Sequence, residues 1–158
     1  MTLRVCGIDP GLTGAIAMLN GHGVALFDLP VTRGEINGLA LHAELALANE
    51  VDPITAVFLE ETHAMPGNGS KANFSQGFTM GAIVTAVRMA SLPLHRVAPS
   101  TWKTKMGLRG KTKDASRHLA SELWPGSEFK LVKHHNRAEA ALIARYGLLH
   151  LIHQENAS

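Results

Sequence analysis

The length and composition of the chain are those of an ordinary globular protein. It has 158 residues, of which 46% are hydrophobic, and a formal net charge of +2. This size predicts one domain, residues 1–158, with one core. The apolar runs are too short to cross a membrane or to form a signal peptide. The single cysteine, Cys6, excludes an internal disulfide, which is typical of a reducing cytosol.

The charges are distributed unevenly along the chain. Eight of the 13 carboxylates lie within residues 1–61, and none lies between Thr62 and Lys113. The cations of that acid-free segment are Lys71, Arg88, Arg96, Lys103, Lys105, Arg109, Lys111 and Lys113. A segment of about fifty residues with one sign of charge indicates either a surface for a polyanion or a solvated basic face.

The first part of the chain predicts three β-strands joined by short turns. An apolar run over residues 3–9 ends at Asp9, and a Pro-Gly turn separates it from a second run over residues 12–19. A Gly-His-Gly turn then precedes a third run over residues 24–29. Consecutive strands with such short turns predict an antiparallel meander.

The rest of the chain alternates helical patterns with β-rich runs. The predicted elements are, in order, a helix over 37–50, a strand over 54–60, a helix over 74–92, a strand over 94–97, and helices that begin at Pro99, Thr112 and Arg137. This order predicts an α/β fold with a mixed five-stranded sheet, in which three antiparallel strands are followed by parallel ones, and helices on both faces. The helix over 74–92 is apolar nearly all round, which indicates burial in the core or in an interface.

Two of the predicted strands end on a carboxylate. Asp9 ends the first strand, and Glu60 ends the strand over 54–60. A charge at the end of a buried strand is unfavourable unless something pairs with it, so each group either caps a turn or faces a ligand. Asp before Pro-Gly is also ordinary turn chemistry. If the two strands are neighbours, both carboxylates lie at one edge of a cleft.

A third candidate group lies at the start of the last helix. His135 and Glu139 are four residues apart and therefore share one helix face. Carboxylates held close together usually bind a divalent cation, and oxygen ligands with one imidazole suit Mg²⁺ or Mn²⁺ better than Zn²⁺. Glu139 could instead be a solvated residue that pairs with Arg137 or Arg145, and the histidines could be ordinary polar residues of a helix start.

The order of these motifs resembles that of the RuvC-like Holliday junction resolvases of the RNase H-like superfamily. The segment 7–11 (Gly-Ile-Asp-Pro-Gly) resembles the first-strand motif of the family, and the segment 58–60 (Phe-Leu-Glu) resembles its fourth-strand glutamate. The segment 137–140 (Arg-Ala-Glu-Ala) resembles its C-terminal helix motif and is most similar to the phage-type and organellar branch. The resemblance covers residues 3–147.

The resemblance implies an RNase H-like fold and a homodimer that nicks four-way DNA junctions symmetrically. It implies Asp9, Glu60 and Glu139 as catalytic ligands of two Mg²⁺ or Mn²⁺ ions per site. Where many relatives have an aspartate, this chain has His135 and Asn136. We therefore expect His135 to be the fourth ligand, with His134 as the alternative.

The basic segment predicts the residues that contact DNA. Phosphate contacts are expected from Lys71, Lys103, Lys105, Arg109, Lys111 and Lys113. His63 and Phe74 are expected near the junction centre, where Phe74 is either a wedge between bases or a core residue. We expect a cytoplasmic protein, bacterial or phage-encoded, with an organellar form as the alternative. Two rival functions share these signals: an RNase H-type or flap nuclease, and a junction-binding protein without activity.

Overall fold

A mixed five-stranded sheet forms the centre of the computed structural model, which describes residues 2–157. The strands are β1 (Val5–Asp9), β2 (Ala15–Asn20), β3 (Gly23–Asp28), β4 (Val31–Thr32), β5 (Glu35–Ile36), β6 (Ala56–Glu60) and β7 (Leu94–Val97). The helices are α1 (Gly38–Val51), α2 (Ser70–Met89), α3 (Pro99–Lys105), α4 (Lys113–Leu123) and α5 (His135–Asn156). The sheet order is β3-β2-β1-β6-β7, with β1–β3 antiparallel and with β6 and β7 parallel to β1. The predicted meander followed by parallel strands is confirmed.

The alternation of side chains along β1 divides the interior into two cores. Val5 belongs to the core that includes α3, α4 and α5, whereas Cys6 and Ile8 belong to the core that includes α1 and α2. Helices therefore cover both faces of the sheet, as predicted. Because successive side chains of a strand point to opposite faces, Asp9 lies on the same face as Val5, beside α5.

Two glycines allow α5 to lie very close to the sheet. A Cβ atom on Gly7 would lie 2.2 Å from the carbonyl oxygen of Ala140. One on Gly147 would lie 2.3 Å from the Cδ2 atom of Phe58. Any side chain at either position would push the helix away. The close approach places the first turns of α5 beside the ends of β1 and β6.

Several element bounds differ from the sequence-based prediction; for example, β2 begins at Ala15 instead of residue 12, β6 begins at Ala56 instead of residue 54, and α2 ends at Met89 instead of residue 92. Helix α2 begins at Ser70 instead of residue 74, because its polar first turn carries no apolar spacing from which the start could be predicted. Helix α5 begins at His135 instead of Arg137 and continues to Asn156, beyond the predicted end at residue 151. A short hairpin, β4–β5, lies between β3 and α1. Within residues 2–157, no helix has both the length and the apolar character needed to span a bilayer.

Candidate active site

Three carboxylates from three different elements meet at one end of the sheet. Asp9 ends β1, Glu60 ends the neighbouring strand β6, and Glu139 begins the second turn of α5. Asp9 is 6% exposed and Glu139 is 9% exposed. Each carboxylate lies near enough to the others for their charges to interact. The structure therefore brings together the three acidic residues that the sequence singled out.

Burial and mutual repulsion disfavour the charged form of these groups. Burial raises the pKa of Asp9 well above its usual range, and the charges of Glu139 and Glu60 raise it further. Burial also raises the pKa of Glu60, and the charge of Glu139 raises it further. A hydrogen bond from Trp102 opposes both effects and lowers this pKa. Buried like charges of this kind are stabilised by a cation.

Three further side chains hold the carboxylates in place. Trp102, which is fully buried in α3, donates from Nε1 to Glu60 Oε2 at 2.7 Å. Lys103 Nζ lies 3.3 Å from Glu139 Oε1, and the hydroxyl of Ser116 in α4 donates to the same oxygen at 3.4 Å. Two adjacent residues of α3 therefore contact two different carboxylates. Trp102 and Ser116 carried no sequence signal for this role, because their partners are 42 and 23 residues away.

The first turn of α5 is tied to the strands by polar contacts. Asn136 Nδ2 donates to the carbonyl oxygen of Thr13 at 2.5 Å and to its Oγ1 at 3.0 Å. Arg137 binds both carboxylate oxygens of Asp28, at 2.8 and 2.9 Å. Arg137 therefore does not pair with Glu139, and the interpretation of Glu139 as a solvated residue is wrong. These contacts fix the end of α5 that carries Glu139.

The chemistry of the carboxylate group fits a hard divalent cation. Oxygen ligands with excess negative charge are those that Mg²⁺ and Mn²⁺ prefer. Within residues 2–157, no three histidine, cysteine, aspartate or glutamate side chains are spaced to hold one metal ion as they stand. Lys103 supplies the positive charge beside Glu139 instead. The contact that a metal ion would replace is therefore the ion pair of Lys103 with Glu139.

The two candidate histidines lie at the start of α5. His135 Nδ1 is 3.3 Å from the carbonyl oxygen of Val132, so the ring contacts the chain just before the helix. His134 stands at the N-cap position, and its buried Nδ1 has no hydrogen-bond partner among the described residues. A ligand role for either histidine stays a prediction.

Most of the chain is similar in structure to solved proteins that include Holliday junction resolvases. Thermus thermophilus RuvC matches with a TM-score of 0.64 and 16% identity, over 94% of this chain and 96% of that chain. The same protein in complex with a Holliday junction substrate matches with a TM-score of 0.66 and 17% identity, over 92% and 94%. The yeast mitochondrial Holliday junction resolvase Ydc2 matches with a TM-score of 0.58 and 15% identity, over 98% and 82%.

The fold is that of RuvC. The resemblance predicted from the motif order is thus confirmed in the fold, including the RNase H-like sheet. No protein-family model matches the sequence, and no curated protein matches it. These structural matches establish the fold. Because the identities are only 15–17%, the activity has to be argued from the site itself.

The predicted cationic contacts occupy several places in this RuvC fold. Lys103 contacts Glu139, and Lys113 lies near enough to Asp9 for its positive charge to lower the pKa of that carboxyl. Arg109 and Lys111 are exposed in the connection between α3 and α4. Lys105 lies on another side of α3 and lines a cleft against α5. The basic segment thus extends from the carboxylates across the neighbouring surface.

The remaining candidates follow Glu60 and enter α2. Lys71 and His63 are exposed, and His63 Nε2 lies 3.8 Å from Glu61 Oε2. Phe74 is 76% exposed, and its ring stacks on that of Phe78 with the centroids 6.5 Å apart. The interpretation of Phe74 as a core residue is therefore wrong. Helical periodicity gave no way to decide which face of α2 the sheet would cover.

Proposed function

We propose that this protein is a divalent-metal-dependent endonuclease that resolves four-way DNA junctions by nicking them symmetrically. The observation that carries the proposal is the meeting of Asp9, Glu60 and Glu139 at one end of a RuvC-type sheet. Support comes from the basic segment, of which Lys103 and Lys113 lie near these carboxylates. Further support comes from the structural similarity to T. thermophilus RuvC in complex with a Holliday junction substrate.

In this proposal Asp9, Glu60 and Glu139 would hold two Mg²⁺ or Mn²⁺ ions, with His135 as the fourth ligand. Such ions, when bound, activate a water and stabilise the leaving oxygen in phosphodiester hydrolysis. Trp102 keeps Glu60 oriented through its 2.7 Å hydrogen bond. Lys103 Nζ lies 3.3 Å from Glu139 Oε1, and it would be free to contact a DNA phosphate if an ion took its place beside Glu139.

The DNA would lie along the cationic surface that begins at the carboxylates. Lys71, Lys105, Arg109, Lys111 and Lys113 are the proposed phosphate contacts, which supply affinity without sequence information. His63 and Phe74 would lie at the crossover, since His63 is exposed three residues after Glu60 and Phe74 is exposed in the second turn of α2. An exposed aromatic ring at this place fits a wedge between bases.

A homodimer would supply the two active sites that symmetric nicking requires. A groove of about 520 Å³ between α1 and α2 is lined mainly by apolar residues. Leu39, Phe78 and Met89 in this groove are 76%, 52% and 61% exposed. His42 also lines it, and its buried Nδ1 lacks a hydrogen-bond partner in the described chain. Exposed apolar surface of this kind marks an interaction site, and we assign it to a second copy.

The decisive experiment is nicking of a mobile four-way junction with Mg²⁺, with Mn²⁺ and with a chelator. We expect nicking by the wild type with a metal ion and none by Asp9→Asn or Glu60→Gln. Glu50→Gln is the matched control, because Glu50 is exposed near the end of α1 and should leave nicking unchanged. Undiminished nicking by Asp9→Asn would disprove the assignment of the site.

The same assay separates the rival functions. A panel of four-way junction, linear duplex, flap and RNA–DNA hybrid shows which substrate is cleaved, and preference for the flap or the hybrid would replace the resolvase proposal. One observation favours a junction-binding protein without activity, namely that His135 and Asn136 stand where many relatives have an aspartate. Tight junction binding without nicking under any metal condition would support that second candidate.

A further inference from the structure

A second cavity lies next to the carboxylate group, between the β1–β2 turn and α2. Its volume is about 330 Å³. Its walls are the turn residues 10–12, Thr62 just after β6, and the face of α2 that carries Ser75, Gln76 and Thr79. The phosphate contacts and the carboxylates proposed above use none of these side chains.

The cavity has several polar groups, and none of them is charged. The Oγ1 atom of Thr62 is buried and has no hydrogen-bond partner within the described residues. Such a buried, unsatisfied hydroxyl is rare and indicates a partner that the folded chain does not supply. Ser75, Gln76 and Thr79 add further donors and acceptors, and none of the described residues in the lining is ionisable. The cavity therefore suits a neutral ligand that forms hydrogen bonds.

Apolar atoms complete the lining. Pro10, Leu12 and Met80 contribute carbon surface on the sides of the cavity. A ligand that matches both parts is flat and apolar on its faces and carries donors and acceptors on its edge. A nucleobase has this chemistry, and a glutamine amide such as that of Gln76 can bind a base edge with both a donor and an acceptor. A phosphate would lack the cation that it needs.

The distance to the carboxylates fits a nucleotide near the scissile phosphate. Thr62 follows Glu60 by two residues, and Gly11 follows Asp9 by two residues. Two residues of extended chain span at most about 7 Å. One strand of duplex DNA advances about 3.4 Å per nucleotide. A base in the cavity would therefore lie within about two nucleotides of a phosphate at the carboxylates.

We propose that this cavity receives one unstacked nucleobase of the strand that is nicked, and that Thr62 and Gln76 recognise its edge. The inference rests on the proposed nuclease function and adds a source of sequence preference, which phosphate contacts cannot supply. Unstacking a base requires least free energy where pairing is already broken, as at a junction crossover. The cavity is thus a specificity site beside the carboxylates.

The first test needs no nicking. The Asp9→Asn protein is bound, with a chelator present, to four-way junctions that carry 2-aminopurine at one position within three nucleotides of the crossover. This base fluoresces more strongly when it is unstacked. We expect a rise at one position, and the same rise with Thr104→Val in that background, because Thr104 is exposed on α3 outside the cavity. Thr62→Val and Gln76→Leu in that background should reduce it. No rise at any position would overturn the inference.

The second test measures sequence preference. Wild type, Thr62→Val and Gln76→Leu each nick a pool of junctions randomised within two nucleotides of the crossover, and the products are sequenced. We expect a base preference that falls roughly 5- to 140-fold when a bidentate contact is removed. Thr62→Val should fold normally, because it removes a hydroxyl that is unsatisfied in the free protein. An unchanged preference in both variants would overturn the inference and would mean that the hydroxyl only binds water.

The two tests distinguish the failure of this inference from the failure of the proposed function. If wild type and variants nick junctions with the same base preference, the nuclease proposal stands and the proposal of a base site is refuted. If the 2-aminopurine signal depends on Gln76 but the wild type does not nick, the proposal of a base site stands and the nuclease proposal is refuted. Absence of junction binding removes both.

Discussion

Replacing Trp102 with phenylalanine tests how the fold controls the charge of Glu60. The substitution keeps most of the buried ring and removes the Nε1 donor that lies 2.7 Å from Glu60 Oε2. Trp102 is completely buried, so water cannot take over the lost hydrogen bond. The change therefore isolates one contact between α3 and the carboxylate group.

The magnitude follows from the type of hydrogen bond. A hydrogen bond to a charged group contributes about 1.5–3 kcal/mol to the free energy of unfolding. In a protein of this size each kcal/mol corresponds to about 2–4 °C, so we expect the melting temperature to fall by about 3–12 °C at neutral pH. The bond lowers the pKa of Glu60, against the burial that raises it. Its loss raises that pKa further, and the acidic limb of the nicking profile moves to higher pH.

The assays are thermal melting, calorimetric Mn²⁺ binding at several pH values, and the pH dependence of nicking. Trp124→Phe is the matched control, because Trp124 is half-buried and packs on Phe129 with the ring centroids 6.2 Å apart. We expect the control to keep the wild-type pH profile. If Trp102→Phe shows the same acidic limb and the same Mn²⁺ binding as the wild type, the argument about Glu60 is refuted even where stability falls.

Three further changes test other parts of the site and the interface. The pKa of Asp9 is raised in the folded state, so the protonated Asp9 side chain favours folding at low pH. This contribution to the free energy of unfolding is lost as the pH rises from about 3.8 through the raised value. Above that range, in a chelator, Asp9→Asn should therefore melt at a higher temperature than the wild type, because the amide carries no charge. Arg137→Gln removes the paired contact with Asp28 and the ion pair with Glu128, and we expect weaker Mn²⁺ binding with a stability loss below about 1 kcal/mol, because Asp28 and Glu128 are 68% and 71% exposed. Phe78→Asp should sediment as a folded monomer, since it places a charge in the groove between α1 and α2.

Each of these results has a matched control. Lower or equal stability of Asp9→Asn in the chelator at high pH would contradict the raised pKa. Arg137→Lys keeps the charge without the paired geometry, so Mn²⁺ binding as weak as in Arg137→Gln would show that geometry matters more than charge. Phe27→Asp changes another half-exposed aromatic residue, on β3, and should leave the dimer intact. A dimer that survives Phe78→Asp and is broken by Phe27→Asp would place the interface elsewhere.

Much of the carboxylate group was predictable from local pattern, and its surroundings were not. Asp9 and Glu60 could be singled out because each ends an apolar run, and Glu139 because it lies in a motif near the start of the last helix. The partners Trp102 and Ser116 could not be singled out, because they come from α3 and α4 and no spacing links them to the acidic residues. Long-range pairs of this kind depend on how helices pack on the sheet.

The sequence by itself determined the order of the five strands of the main sheet and of the helices, the two strand-end carboxylates and the acid-free basic segment. These are properties of neighbouring residues, since side-chain alternation and helical spacing act over a few positions. Only the tertiary structure decided that Glu139 faces Asp9, that Lys103 pairs with Glu139, and that Phe74 is exposed. The physical reason is the close approach of α5 to β1 at Gly7, which sets distances between residues that are far apart in the chain.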